Sequence, residues 1–131
     1  MDIAMHQSEG AVTLNEIAAR QRISVKYLWQ VINPLKTAGL LHVTRGAKGG
    51  YALARPAEKI TMLDVVNILE GPLSVVECIT NAKYCDQVDS CVARTVWIEV
   101  HRAAEKALAG ITLAAVLRRC AEPSETDNYS I

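Results

Sequence analysis

The chain has 131 residues, half of them hydrophobic, and carries 14 basic and 14 acidic side chains, so one modest core with a short extension is expected. No apolar run approaches the roughly eighteen residues that span a bilayer, and no basic start leads into an apolar stretch and cleavage site. A membrane protein and a secreted disulfide scaffold are set aside, and a soluble, cytoplasmic protein is expected.

Residues 1–6 read as the end of a helix, broken by Ser8-Glu9-Gly10. Thr13 with Glu16 forms a capping-box pattern that opens a short helix carrying Leu14, Ile17 and Ala18. Residues 21–23 are the turn. Ser24 caps a second helix in which Leu28, Val31, Ile32 and Leu35 recur at helical spacing. Pro34 threatens a kink in its last turns, and Gly39 ends it. Two short helices around a tight turn predict a helix-turn-helix, whose second helix enters the DNA major groove.

Residues 40–44 and 51–54 read as two short strands joined by the basic loop Arg45-Gly46-Ala47-Lys48-Gly49-Gly50. Two strands with such a tip predict a wing. The glycines let backbone amides approach phosphates, Lys48 supplies countercharge, and Arg45 can reach a minor groove. A nucleotide phosphate loop is disfavoured, because the spacing is wrong and no helix opens after Lys48. Charge agrees with a nucleic-acid face. Residues 17–57 hold no acid, while Arg20, Arg22, Lys26, Lys36, Arg45, Lys48 and Arg55 all fall there. From Thr61 onward ten acids stand against six Lys and Arg. An unevenly charged solvated surface is the competing reading.

Thr61 caps a further apolar helix, closed by Gly71-Pro72 and expected to pack beneath the winged unit. The next stretch reads as a loop carrying Cys78, Cys85 and Cys91, with Cys120 standing apart. In a reducing cytosol, close thiols are ligands or sensors more often than a disulfide framework. Their Cys-x6-Cys-x5-Cys spacing matches no standard zinc or ferredoxin signature. An iron–sulfur site, structural zinc and redox-switching thiols therefore stay open. No Cys-x-x-Cys motif supports a thiol-redox enzyme, and no enzymatic activity is expected.

A long helix is predicted over Val92–Ala109, with Val92, Val96, Val100, Ala103 and Ala107 on one stripe beside Trp97 and Leu108. Such a stripe predicts a two-fold dimer helix, with packing on its own domain as the alternative. The polar residues from Glu122 onward predict a disordered tail.

The runs Val12-Thr13-Leu14, Ile23-Ser24-Val25-Lys26-Tyr27-Leu28 and Pro34-Leu35-Lys36-Thr37-Ala38-Gly39-Leu40 closely resemble the Rrf2 family of bacterial transcription regulators. So do Arg45-Gly46-Ala47-Lys48-Gly49-Gly50-Tyr51, the helix over 60–71, the cysteine triplet and Ile111-Thr112-Leu113. The resemblance implies a mainly α fold with a small β-hairpin wing: a winged helix-turn-helix plus a long C-terminal dimerisation helix. The expected division is 1–72 for the DNA-binding domain, 73–91 for a cysteine-bearing cluster loop, 92–119 for the dimerisation helix and a following short helix, and 120–131 for the tail. The family normally begins more than two helical turns earlier, so the first helix is expected to be truncated, with Met1 an internal methionine taken for a start.

Carried over residue by residue, Cys78, Cys85 and Cys91 would ligate an iron–sulfur cluster, usually 2Fe-2S and in some members 4Fe-4S. Two departures stand out. Arg94 occupies a position where cluster-assembly regulators of the family often have a ligating histidine, which leaves the fourth ligand unassigned. His101 lies about 15 Å beyond Cys91 along a helix, too far to replace it. Trp29 stands in the recognition helix where those regulators have an acid that selects their DNA sites. The expected partners are a double-stranded DNA operator and a second copy of the chain. Contacts are expected from Ser24, Lys26, Tyr27 and Gln30 on the helix and from Arg45, Gly46, Lys48 and Gly49 on the wing. The expected function is a homodimeric repressor whose DNA affinity is modulated by the cluster. The alternative is an Rrf2-like regulator controlled by a partner protein or by thiol oxidation.

Overall fold

A computed structural model describes residues 1–122, in which helices dominate and a single antiparallel hairpin supplies the β-structure. The helices are α1 (Asp2–His6), α2 (Leu14–Gln21), α3 (Val25–Thr37), α4 (Met62–Glu70), α5 (Glu77–Thr80), α6 (Val92–Ala109) and α7 (Leu113–Ala121). Strands β1 (Leu41–Thr44) and β2 (Gly50–Leu53) lie between α3 and α4.

Local chemistry accounts for the helix-turn-helix. Thr13 Oγ1 accepts from the Glu16 amide at 3.3 Å and the Glu16 carboxylate accepts from the Thr13 amide at 2.7 Å, the expected capping box. Arg22 adopts a left-handed φ of 53° at the turn. Ser24 Oγ accepts from the Tyr27 amide at 3.1 Å and so starts α3. Pro34 sits inside α3 without ending it, and the Ala38 amide donates to the Pro34 carbonyl at 2.9 Å. The end is a Schellman motif at Gly39, with φ 76°: the Leu40 amide donates to Leu35 and the Gly39 amide to Lys36. This use of the Leu40 amide delays β1 to Leu41, one residue later than the sequence suggests.

The hairpin registers Leu41 with Leu53 and Thr44 with Gly50. On the other edge of β2, Val12 exchanges two backbone bonds with Tyr51, at 2.9 and 2.7 Å. The hairpin is thereby stitched to the entry of α2. Gly50 makes this approach feasible, since a Cβ there would lie 2.7 Å from the Val12 carbonyl carbon and oxygen.

Two cores hold the unit. One gathers Ile3, Val12, Ile17, Leu28, Ile32 and Leu41 from α1, α2, α3 and the hairpin. The other centres on Leu40, Ile60 and Leu113, with Met62, Val65 and Ile68 against them, so α4 does pack on the winged unit. A second backbone clip joins Ile60–Met62 to Ile111–Leu113: the Met62 amide donates to Ile111 at 2.8 Å and the Leu113 amide to Ile60 at 2.7 Å. It fastens the link between α6 and α7 to the start of α4. An apolar cavity of about 600 Å³ lies where Ile3, Leu28, Leu35, Val65, Leu113 and Cys120 converge.

The cysteine segment, read from sequence as a loop, contains the single-turn α5, and further turns tie Asn81 to Tyr84 and Cys85 to Val88. Helix α7 runs through Cys120 to Ala121, two residues into the stretch expected as tail. The remainder of that expectation, 123–131, lies outside the described residues. No described helix is long and apolar enough to cross a membrane.

Candidate nucleic-acid interface

Three strips run along α3. Leu28, Ile32 and Leu35 turn into the core, Lys26 and Gln30 lie on the outward face, and Val25 and Trp29, at i and i+4, lie on the flank between the two. Ser24, Lys26, Tyr27 and Gln30 are all exposed, and the Ser24 oxygen already accepts the cap bond, leaving its hydroxyl hydrogen to donate. Trp29 is 53% exposed and Tyr27 57%, a large aromatic surface at the start of the second helix.

At the wing, Arg45, Gly46 and Lys48 are exposed and Gly49 is half-buried. Gly49 closes the tip: its amide donates to the Gly46 carbonyl at 3.0 Å, and any Cβ on it would collide with the Thr44 carbonyl oxygen. Helix α3 packs against β1, so the second helix and the wing are joined by direct contact.

Among the described residues, the ion pairs are His6 with Asp2, Arg20 with Asp2, and His101 with Glu105. Arg22, Lys26, Lys36, Arg45, Lys48 and Arg55 therefore keep their charge unpaired within that set. Arg20 does not. Its Nη2 meets Asp2 Oδ1 at 2.6 Å, Gln21 adds a bond at 2.9 Å, and the Arg20 guanidinium holds the Asp2 carboxyl below the usual carboxylate range. The basic stretch seen in sequence thus loses one member to the first helix.

The cysteines stand as follows. Cys78 is half-buried in α5, Cys85 is exposed and accepts a turn bond from the Val88 amide at 3.2 Å, and half-buried Cys91 is the N-cap of α6. All three are free thiols, as is Cys120. Arg94 ties two of these elements together, its Nε donating to the Cys78 carbonyl at 3.2 Å. Among the described residues no three or more His, Cys, Asp or Glu side chains are gathered closely enough to hold a metal ion. His101 points away from any such role, with Nε2 3.4 Å from Glu105 and Nδ1 buried without a partner.

Helix α6 packs on α4 and α5. Its other side leaves Val92 78%, Val96 57%, Trp97 40% and Val100 43% exposed, and Ala103 and Ala107 continue the strip. Ser24, Lys26, Tyr27, Gln30, Arg45, Gly46 and Lys48 are exposed, Gly49 is half-buried, and the three cysteines are not brought together. The Asp2 clamp and the Arg94 tether escaped sequence reading, because both join residues 16 or more positions apart.

Residues 1–119 match the family model Rrf2, described as an iron-dependent transcriptional regulator. The Protein rrf2 of Nitratidesulfovibrio vulgaris is 45% identical over 118 residues, covering 90% of this chain and 79% of that relative. Among solved structures, IscR of T. potens is similar at TM-score 0.73 and 39% identity, covering 91% of this chain and 77% of that one. CymR, the global cysteine regulator of B. subtilis, is similar at TM-score 0.73 and 33% identity, covering 90% and 86%.

Proposed function

This chain belongs to the Rrf2 family of DNA-binding transcriptional regulators, and on that premise we propose that it is a homodimeric repressor whose operator affinity depends on an iron–sulfur cluster ligated by Cys78, Cys85 and Cys91. The observation that carries this reading is where the thiols sit. They occupy the joint between the winged unit and α6, and Arg94 links Cys78 to the first turn of that helix.

The donor set fits. Three free, solvent-reachable thiols are the soft ligands such a cluster takes, and a turn-rich segment can draw them together. When bound, the cluster supplies a centre that responds to oxygen, nitric oxide or iron supply. The fourth position falls to a donor other than Arg94, whose guanidinium cannot ligate. The chain's own residues do the rest. Bringing Cys78, Cys85 and Cys91 together would reshape 73–91, and α6 would carry the change to the winged unit through its packing on α4 and the clip between Ile60–Met62 and Ile111–Leu113. In a dimer, a change at 73–91 would alter how the paired recognition helices are presented to DNA.

Anaerobically purified full-length protein should contain iron and acid-labile sulfide and absorb in the visible range, and C78S, C85S and C91S should each lose that absorption. Absence of sulfide and of visible absorption from the wild-type chain rejects the proposal. A second reading, control by thiol oxidation or by a partner protein without a cluster, is favoured by the exposed Cys85 and by the absence of a gathered ligand set among the described residues. It predicts DNA affinity that changes reversibly with thiol oxidation, or with an added partner, in iron-free protein.

A further inference from the structure

We propose that Trp29, backed by Val25, reads thymine methyl groups in the major groove and so sets part of the operator sequence. The inference rests on the DNA-binding reading and deepens it. Trp29 is 53% exposed and Val25 41%, whereas Leu28 and Ile32 beside them are buried. They form an apolar band along one flank of α3, immediately next to the outward pair Lys26 and Gln30.

Charge identifies what covers this band. The sequence from 17 to 57, which includes all of α3 and the wing, carries no acid, and Arg22, Lys26 and Lys36 are exposed with no carboxylate partner among the described residues. A polyanion is therefore the surface that approaches α3, and a protein partner would need an acidic and apolar face in one place. Within a major groove the apolar feature available to an indole is the C5-methyl of thymine. Lys26 and Gln30 supply polar contacts to phosphate or base edges, and the Trp29 flank supplies contact without charge. A buried methyl is worth about a fourfold change in affinity per contact.

The test begins with anaerobically purified full-length protein selecting sites from a random double-stranded DNA library. Each thymine of the selected duplex is then replaced singly by deoxyuridine, which removes only the methyl group. For the wild-type chain, at least one replacement per half-site should weaken binding about fourfold. Trp29→Ala should bind the thymine and deoxyuridine duplexes equally, and Trp29→Leu should retain part of the difference. The methyl dependence is read first on the wild-type protein, and retained binding of the unsubstituted duplex by Trp29→Ala and Trp29→Leu shows that the variants are folded. Equal binding to every deoxyuridine duplex, or a full penalty retained by Trp29→Ala, overturns the proposal. Binding to DNA without any selected sequence also overturns it while leaving DNA binding intact. No binding to DNA at all instead removes the reading on which it rests.

Discussion

Arg22 holds a left-handed backbone, φ 53°, where α2 gives way to α3, and the amides of Arg22 and Ile23 both converge on the Ala18 carbonyl. A side chain in this region costs about 1–2 kcal/mol, and glycine removes that cost while adding about 0.4–1 kcal/mol of unfolded-state entropy. Arg22→Gly should therefore leave stability unchanged or raise it by up to about 1.6 kcal/mol, read as the urea midpoint at constant m-value. Asp2 supplies a second test. Hydrogen bonding to Arg20 depresses its pKa, and bonds to Thr13 and Thr61 depress those of Glu16 and Asp64. A depressed carboxylate contributes stability fully above its unfolded value, about 4, and the contribution disappears as pH falls through the folded value. The melting temperature should thus hold steady with respect to these groups from pH 7 to 5 and fall below about pH 4. Asp2→Asn should lower the neutral-pH melting temperature and reduce the acid-side drop.

At the scale of elements, the local signals were legible and the long-range ones were not. Thr13 with Glu16, Ser24, Gly39 and Thr61 each mark a boundary within a few residues of themselves, and each boundary lies where those side chains put it. The wing strands and the exposed stripe of α6 follow from the same short-range patterning. The Val12–Tyr51 bridge, the Thr61–Thr112 bridge and the Asp2–Arg20 clamp have no local signature, since each depends on how distant segments pack. The single turn at Glu77–Thr80 is too short for a periodic pattern to reveal. The bridges also fix what substitution does. A Cβ at Gly50 would press on the Val12 backbone, so Gly50→Ala should destabilise by about 1–3 kcal/mol in urea unfolding and loosen the hairpin from α2. Gly71→Ala gives the comparison, because only left-handed strain at φ 81° opposes it and its Cβ meets nothing within 4 Å. Thr112 Oγ1 accepts from the Ala115 amide at 3.1 Å, and Thr112→Ala should cost about 1 kcal/mol through loss of that cap.

The whole molecule is asymmetric in a way that bears on dimerisation. The winged unit has two buried clusters, whereas α6 has no buried residue along its full 18-residue length and directs Val92, Val96 and Val100 outward. A strip of that extent is an interaction surface more often than a tolerated accident. In a two-fold contact each substitution acts twice, because the same strip is supplied by both copies. Val96→Glu together with Val100→Glu would place four carboxylates in one apolar seam, where their desolvation opposes association. The wild-type chain should sediment at about twice its 14.3 kDa mass, and the double variant at 14.3 kDa with unchanged helicity by circular dichroism. Operator binding separates lost dimerisation from lost folding. A folded monomer keeps Lys26, Gln30 and Lys48, so it should retain weak salt-dependent binding to a single half-site but lose the dependence on half-site spacing that a paired reader shows. If the double variant remains dimeric, or remains sensitive to half-site spacing, α6 is not the seam, and the proposed route from the cysteine segment through α6 to paired recognition helices is lost.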